Sequence, residues 1–244
     1  MKTISNAKKI ITIDRGNTKT SYALHDLEHP VSKTISVDEA YLHHEDALII
    51  ASNVSNEEEY GLPIDVNIIE YYKNKKFFGM PVHYSETLGA DRLALAHLIW
   101  SYIKDKNHSA LIIDVGTFLT CDFVDAEGFL GGFIFPGPFT LMDVYRTGAK
   151  LSTFPPEIQQ SHTPPQSTAE AISRAGGMIL KATINEILAF KEVDEIYLTG
   201  GASHLISELL PVEKLRENKL FLHRALYGIG KEILALEKNK KGFD

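Results

Sequence analysis

Apolar residues in this chain cluster into short runs of strand length, and these alternate with longer stretches of helical periodicity. In the first hundred residues the runs predict strands and a short helix, and a longer pattern predicts an amphipathic helix. In chain order these are strands 9–14, 20–25 and 31–36, helix 37–44, strand 47–53 and helix 91–104. The polar residues 105–109 interrupt the pattern, so we place a domain boundary there.

The second half opens with the same succession of strands. The pattern predicts strands 110–114, 118–124 and 129–135, helices 141–150 and 168–191, strands 195–198 and 220–222, and helix 225–236. Strands and helices that alternate, with hairpins at the start of each half, are typical of an α/β protein. We therefore expect two lobes, residues 1–106 and 107–244, each with a mixed sheet flanked by helices.

Composition narrows the class of protein. The 244 residues carry a net charge of −7, and their lysines and arginines are scattered, which argues against a nucleic-acid-binding surface. No apolar run reaches the roughly 18 residues of a membrane span. The single Cys121 cannot form an internal disulfide, which favours a reducing compartment. We expect a cytoplasmic protein that binds neither nucleic acid nor membrane.

One short motif occurs twice, 100 positions apart. An apolar strand runs into Asp14-Arg15-Gly16-Asn17 in the first half, and another runs into Asp114-Val115-Gly116-Thr117 in the second. A carboxylate at the end of a strand can hold a cation directly or through water, and glycine lets backbone N–H groups approach phosphate oxygens. The pair predicts two related half-domains that face each other across a nucleotide cleft.

A third candidate is the sequence Gly89-Ala90-Asp91-Arg92 at the start of the predicted helix 91–104. Asp91 could cap the helix, or it could accept a proton from a substrate hydroxyl while Arg92 binds an anionic group. The glycine pairs Gly131-Gly132 and Gly200-Gly201 indicate close backbone approach, either to a ligand or to another strand. The residues alone leave both choices open.

Taken in order, these motifs resemble those of type III pantothenate kinases along nearly the whole chain. The motifs are Asp14 to Thr18, Leu88 to Arg92, Asp114 to Thr117 with Thr120 and Asp122, Gly131-Gly132 to Pro136-Gly137, and Thr199-Gly200-Gly201. The resemblance implies two ribonuclease H-like lobes of the actin-like ATPase superfamily. It also implies ATP-dependent phosphorylation of pantothenate, the first step of coenzyme A biosynthesis, by a homodimer.

The resemblance further implies roles for individual residues. Asp91 is the expected general base, Asp14 is expected to hold Mg²⁺ through water, and Asp114 a monovalent cation, K⁺ or NH₄⁺. The expected ATP-binding residues are Asp14, Arg15, Gly16, Asn17, Thr18, Lys19, Thr20, Ser21 and Thr117. The expected substrate-binding residues are Tyr84, Gly89, Ala90, Asp91, Arg92 and Thr168. Arg15 and Phe118 depart from the family pattern, which usually has a small or apolar residue and an alanine there.

Two other functions stay open at the level of sequence. Relatives of this family include accessory factors in gene regulation, so the chain could be a non-catalytic regulatory protein. It could also be a kinase of another small hydroxylated metabolite, which would share the phosphate-binding turns. The intact residues Asp14, Asp91, Arg92, Asp114 and Thr117 argue against a site that has lost its activity. The Gly-Ala-Asp-Arg element at residues 89–92 argues against a kinase of another metabolite.

Overall fold

A computed structural model describes residues 7–16, 18–27, 32–53, 62–148, 150–158 and 162–241 of the protein. The elements of the first part are β1 (Lys9–Arg15), β2 (Thr20–Asp26), β3 (Ser32–Ile35), α1 (Val37–His43), β4 (Ala47–Asn53), β5 (Val66–Asn67), β6 (Tyr72–Lys73), β7 (Lys76–Phe77), β8 (Met80–Pro81) and α2 (Ala90–Ile103). Those of the second part are β9 (Ala110–Val115), β10 (Phe118–Asp125), β11 (Gly128–Pro136), α3 (Pro138–Asp143), α4 (Thr168–Phe190), β12 (Glu195–Thr199), β13 (Leu215–Glu217) and α5 (Phe221–Lys241).

The chain forms two compact units. The first comprises Met1–Tyr102, Glu127–Phe129 and Leu220–Asp244, and the second comprises Ile103–Ala126 and Leu130–Lys219. The division into lobes 1–106 and 107–244 stays a prediction. The two compact units have different bounds, mainly because α5, at the end of the sequence, packs against β1 of the first unit. Gly230 permits this approach, since a Cβ there would lie 3.0 Å from the Ile10 side chain.

The main sheet of the first unit has the strand order β3-β2-β1-β4-β5. Strands β1, β2 and β3 pair antiparallel, and β4 pairs parallel with β1. One face is covered by a cluster that includes Ile11, Ile13, Ala40 and Ile49, all fully buried. The parallel, buried β4 reads as a continuous apolar run, as expected for a strand covered on both faces.

The sheet of the second unit has the equivalent order, β11-β10-β9-β12-β13. Here β10 pairs antiparallel with β9, and β12 pairs parallel with β9 and with β13. The core on this sheet includes Leu111, Ile113, Leu198 and, from α4, Ile184. The matching strand orders confirm the expected α/β fold with two mixed sheets flanked by helices, one sheet in each unit.

Three sequence predictions about elements were wrong in detail. Residues 220–222 do not form a strand, because α5 begins at Phe221 and buries Leu222, Ala225 and Leu226 at helical spacing. The helix predicted at 141–150 is the shorter α3, followed by a 3-10 turn at Val144–Thr147. Helix α2 is not amphipathic, since every residue from Arg92 to Ile99 is buried.

Within the described residues, no helix is both long enough and apolar enough to cross a membrane.

Candidate active site

Asp14 lies near the end of β1 between hydroxyl residues on both neighbouring strands. Its pairing partner on β2 is Ser21, and its partner on β4 is Ser52. Ser21 hydrogen-bonds to the Asp14 side chain. The Ser52 hydroxyl is buried, with 1% of the residue exposed, and it has no hydrogen-bond partner among the residues that the structure describes. A buried hydroxyl without a partner is costly, so this position suits a water molecule or a ligand.

Asp14 and Asp91 are close enough for their charges to interact. Burial and the neighbouring Asp91 together raise the pKa of Asp14 from 3.8 to about 7, although the hydrogen bond from Ser21 lowers it. Burial also raises the pKa of Asp91, opposed by the backbone N–H and the charge of Arg92. Both side chains keep a partly exposed surface. Two carboxyl groups in such surroundings attract a cation and provide a proton acceptor that works near neutral pH.

Asp91 is the second residue of α2, whose first hydrogen bond runs from the Leu93 N–H to the Gly89 carbonyl. Gly89 therefore occupies the capping position, and Asp91 lies inside the first turn. Its Oδ1 accepts a hydrogen bond of 2.8 Å from the Arg92 N–H. The carboxylate thus accepts from a backbone N–H of the first helical turn, where the helix dipole favours negative charge.

Arg92 is held between two aromatic rings. Its guanidinium carbon lies 5.2 Å from the ring centre of Tyr84 and 5.7 Å from that of Phe129. The two rings contact each other edge to face. Phe129 reaches this place because its carbonyl accepts a 2.8 Å hydrogen bond from the His83 N–H. Cation–π contacts of this kind fix the guanidinium plane, so Arg92 is positioned before any ligand binds.

The predicted phosphate-binding turn joins β1 to β2. It is closed by a 3.0 Å hydrogen bond from the Gly16 N–H to the Lys19 carbonyl, and the side chains of Thr18 and Lys19 are exposed. Asn17 lies outside the described residues. Arg15 is buried and lies near Tyr22, whose pKa is raised by burial although the charge of Arg15 opposes the rise. Because side chains alternate along a strand, Arg15 lies on the sheet face opposite Asp14.

The second unit repeats the arrangement around Asp114. Its pairing partners are Thr120 on β10 and Thr199 on β12, so hydroxyl residues again lie on both sides of the carboxylate. Gly200, with φ of +96°, approaches so closely that a Cβ would lie 2.5 Å from Asp114 Oδ1. A Cβ at Gly200 would also lie 2.5 Å from the Val115 backbone, so both the strand packing and the carboxylate require glycine here. Gly132 is equally restricted, because a Cβ there would lie 2.2 Å from the Cys121 carbonyl oxygen and 2.3 Å from Asp122 Oδ1.

Thr117 and Thr168 also belong to the second unit. The Thr117 carbonyl accepts hydrogen bonds from the Gly137 N–H at 2.9 Å and from Thr140 Oγ1 at 2.6 Å. Thr168 begins α4 and is exposed, while Ser167 caps that helix by accepting from the Glu170 N–H. The Thr117 turn is thus fixed through its backbone carbonyl.

Sequence reasoning missed Ser52 and Phe129 as site residues. Ser52 ends an apolar strand as Asp14 does, so the alignment of parallel strand ends could have identified it. Phe129 gave no such signal, because it reaches Arg92 from a distant hairpin. Among the described residues, no group of three or more His, Cys, Asp or Glu side chains is arranged to hold a metal ion.

Comparison with known proteins places these motifs in one family. A family model described as type III pantothenate kinase matches residues 55–189, more than half of the chain. The type III pantothenate kinase of Ectopseudomonas mendocina (strain ymp) is 32% identical over 154 residues, which cover 59% of this chain and 61% of that protein. That of Azotobacter vinelandii is 33% identical over 129 residues, 48% of this chain and 51% of that protein. The match thus spans about three fifths of the first relative's length and half of the second's.

Solved structures share the fold. A Campylobacter jejuni protein assigned to the Baf family of transcriptional activators superposes with a TM-score of 0.59 at 20% identity, covering 91% of this chain and 98% of that chain. A Sinorhizobium meliloti protein assigned as a 2-dehydro-3-deoxygalactonokinase superposes with a TM-score of 0.56 at 10% identity, covering 92% and 99%. These likenesses concern the ribonuclease H-like fold alone. The family model, with its span of more than half of the chain, shows that the protein belongs to the type III pantothenate kinase family.

Proposed function

We propose that the protein transfers the terminal phosphoryl group of ATP to pantothenate and forms 4′-phosphopantothenate, the first step of coenzyme A biosynthesis. The observation that carries this proposal is the interacting pair Asp14 and Asp91, both with raised pKa. Asp91 and Arg92 also lie within the segment that matches the family model. The pair supplies the two anionic groups that metal-assisted phosphoryl transfer requires.

The surroundings of Asp14 fit a hydrated Mg²⁺ ion. Mg²⁺ keeps several waters and binds through one or two carboxylates plus substrate phosphates. Asp14 provides a carboxylate whose charge is poorly compensated, and Ser52 provides a buried hydroxyl that a metal-bound water would satisfy. When bound, the ion neutralises charge on the polyphosphate. The side chains of Thr18, Lys19 and Thr20 would donate to phosphate oxygens, while Gly16 closes the turn and Ser21 holds Asp14.

Asp91 acts as the general base. In the reaction the pantothenate hydroxyl loses its proton to an Asp91 oxygen, its oxygen forms the new bond to phosphorus, and the bond from phosphorus to the ADP oxygen breaks. A base with raised pKa suits this late proton transfer near neutral pH. The hydrogen bond from the Arg92 N–H holds one oxygen of Asp91, which leaves the other for the substrate.

Arg92 binds the carboxylate of pantothenate. The residue is 5% exposed, and its guanidinium lies over the Tyr84 and Phe129 rings. A fixed guanidinium plane presents its N–H groups as a fork that matches a carboxylate. Gly89 and Ala90 bring the helix start close to the substrate, and the exposed hydroxyl of Thr168 is a further proposed substrate-binding group.

In the second unit we propose that Asp114 binds a monovalent cation, K⁺ or NH₄⁺, and that Thr117 contacts ATP. A half-buried carboxylate beside the close backbone of Gly200 offers the oxygen ligands that such a cation prefers. We also propose a homodimer formed by the second unit. Its large exposed apolar side chains include Phe118, Ile134, Phe139, Val144, Met178, Ile179 and Phe190, and exposed apolar residues in such number are typical of an interaction surface.

The test is an assay of ADP release with mass spectrometry of the product. The protein is supplied with ATP and Mg²⁺, with pantothenate or a panel of sugars, and with or without K⁺. We expect 4′-phosphopantothenate only with pantothenate, and faster turnover with K⁺. ADP release with a sugar alone would assign a different kinase. No ADP release with any acceptor would favour the non-catalytic alternative.

A further inference from the structure

A continuous path of hydrogen bonds leads from Asp14 into the core of the first unit. Ser21 hydrogen-bonds to Asp14, and its Oγ lies 2.9 Å from His223 Nε2 on α5. His223 Nδ1 lies 2.8 Å from Thr12 Oγ1, which in turn lies 2.9 Å from His25 Nε2. The path thus joins strands β1 and β2 to a helix that is distant in sequence.

This path is closed to solvent over most of its length. Thr12, His25 and His223 are exposed by 0%, 1% and 4%. Burial lowers the pKa of both imidazoles to about 4, so both rings are neutral at pH 7. The residue between Ser21 and His25 on the same face of β2 is Ala23, whose small side chain leaves room for the His223 ring.

The chemistry of the groups gives the path one direction. An ionised Asp14 only accepts, so Ser21 donates to it and accepts from His223 Nε2–H. A neutral imidazole has one donor and one acceptor, so His223 Nδ1 accepts from the Thr12 hydroxyl. That contact is 2.8 Å long, whereas the other acceptor in reach of the Thr12 hydroxyl, the Ala23 carbonyl, lies at 3.4 Å. Thr12 then accepts from His25 Nε2–H. Each hydroxyl and imidazole N–H along the path donates once, and the path ends on the carboxylate.

We propose that His223 is a positioning residue, which through Ser21 fixes the orientation of the Asp14 carboxylate for its metal ion. This inference rests on the proposed function, because it assigns a supporting contact to the same site. Without the His223 N–H, the Ser21 hydroxyl could rotate away from Asp14. Partners that orient a metal-binding group in this way affect metal affinity or activity by about 10–100-fold when they are removed.

A purely structural role for His223 would be to satisfy Thr12 and fill space in the core. Two substitutions separate the roles, because each preserves the hydrogen bond of one ring nitrogen and removes that of the other. In His223→Gln the amide nitrogen takes the place of Nε2 and still donates to Ser21. In His223→Asn the amide oxygen takes the place of Nδ1 and still accepts from Thr12, but the side chain does not reach Ser21.

Steady-state kinetics of the full-length protein with ATP, Mg²⁺ and pantothenate provide the first test. We expect His223→Asn to lower kcat/KM by about 10-fold or more, and His223→Gln to stay within about 3-fold of the wild type. Ser21→Ala completes a double-mutant cycle. In the Ser21→Ala protein, His223→Asn should lower kcat/KM by less than about 2-fold, because the contact between Ser21 and His223 is already absent. Equal losses in the Gln and Asn variants, or additive losses in the cycle, would overturn the proposal.

A second test needs no substrate and separates this proposal from the proposed function. Nitrogen-15 NMR of the imidazoles in the metal-free wild-type protein at pH 8, assigned with the His223→Gln variant, reports which ring nitrogen of His223 carries the proton. We expect the Nε2–H form, with Nδ1 unprotonated. The Nδ1–H form or a charged ring would refute the inference even in an active enzyme. The Nε2–H form in a protein without kinase activity would retain the path and reject the pantothenate assignment.

Discussion

The buried imidazole of His25 should make the stability of the first unit sensitive to acid. Its ring stacks on Tyr227 at a centroid distance of 4.8 Å, and Thr12 and His223 face it within the core. Two charged groups lie near the Tyr227 side of this stack. They are Asp26, whose charge raises the pKa of Tyr227 after burial, and Lys231, whose Nζ lies 4.8 Å from the Tyr227 ring centre. Burial, and secondarily the nearby His223, lowers the pKa of His25 from 6.5 to about 4.

The sign and size of the effect follow from linkage. Between pH 6.5 and about 4, His25 is protonated in the unfolded chain but stays neutral in the folded protein. The contribution of His25 to the free energy of unfolding is therefore complete above pH 6.5 and is lost as the pH falls toward 4. With these two pKa values, His25 alone costs about 2 kcal/mol at pH 5 relative to pH 7.5. Typical domains have only about 5–15 kcal/mol of stability in total, so the loss is readily measured.

The perturbation is His25→Gln, whose amide nitrogen can still donate to Thr12. Urea unfolding at pH 7.5 and pH 5 gives the loss of stability on acidification for the wild type and the variant. We expect the loss to be about 2 kcal/mol smaller in the variant, because contributions from Asp14 and His223 are common to both proteins. His204→Gln, which removes an exposed histidine, is the matched control and should behave as the wild type. An equal acid sensitivity in wild type and His25→Gln would refute the reasoning.

Four further outcomes are expected. Asp91→Asn should lower kcat by about 10²–10⁴-fold, the range for general acid–base catalysis, while calorimetry still detects MgATP binding; wild-type turnover would contradict the assignment of the base. Asp14→Asn should stabilise the metal-free protein at pH 8 by up to about 4 kcal/mol, because a raised folded pKa penalises the ionised group most at high pH and less as the pH falls through 7. If Asp14→Asn instead destabilises the protein at pH 8, the penalty assigned to the ionised Asp14 carboxylate is wrong. The same variant should lose the rise in unfolding temperature that Mg²⁺ and ATP give the wild type. Arg92→Lys keeps the charge but loses the fork, so KM for pantothenate should rise about 10-fold or more with a smaller change in kcat; an unchanged KM would exclude the carboxylate contact. Phe190→Asp should shift the sedimentation coefficient from dimer to monomer, and a wild-type value would place the interface elsewhere.

Much of the fold was predictable from local pattern. Strands β1 and β9 were recognisable because a run of buried apolar residues ends in Asp-x-Gly, and β4 because its apolar run matches a strand paired on both sides. Each of these signals lies within a few consecutive residues, and together they identify central strands of both five-stranded sheets. The paired motifs at Asp14 and Asp114 therefore identify the ends of two equivalent sheet strands from sequence alone.

Other features depend on contacts that no local pattern contains. The start of α5 carries Leu220, Phe221 and Leu222 in succession, which mimics a buried strand, and only packing against β1 shows that it is helical. The small sheet β6-β7-β8 consists of two-residue strands, too short for any periodicity. His223 reaches Ser21 only because this helix returns to the first unit.

The packing of α5 against β1 also determines when, during synthesis, the first unit can finish folding. Protein domains generally fold as units as the ribosome releases them. The second unit is almost continuous in sequence and can close around its own sheet as soon as residue 219 has emerged. The first unit begins earlier but must wait for α5, so its carboxylate pair remains without His223 until the helix docks. Synthesis thus delays assembly of the corner around Asp14 and Asp91 until α5 has been made.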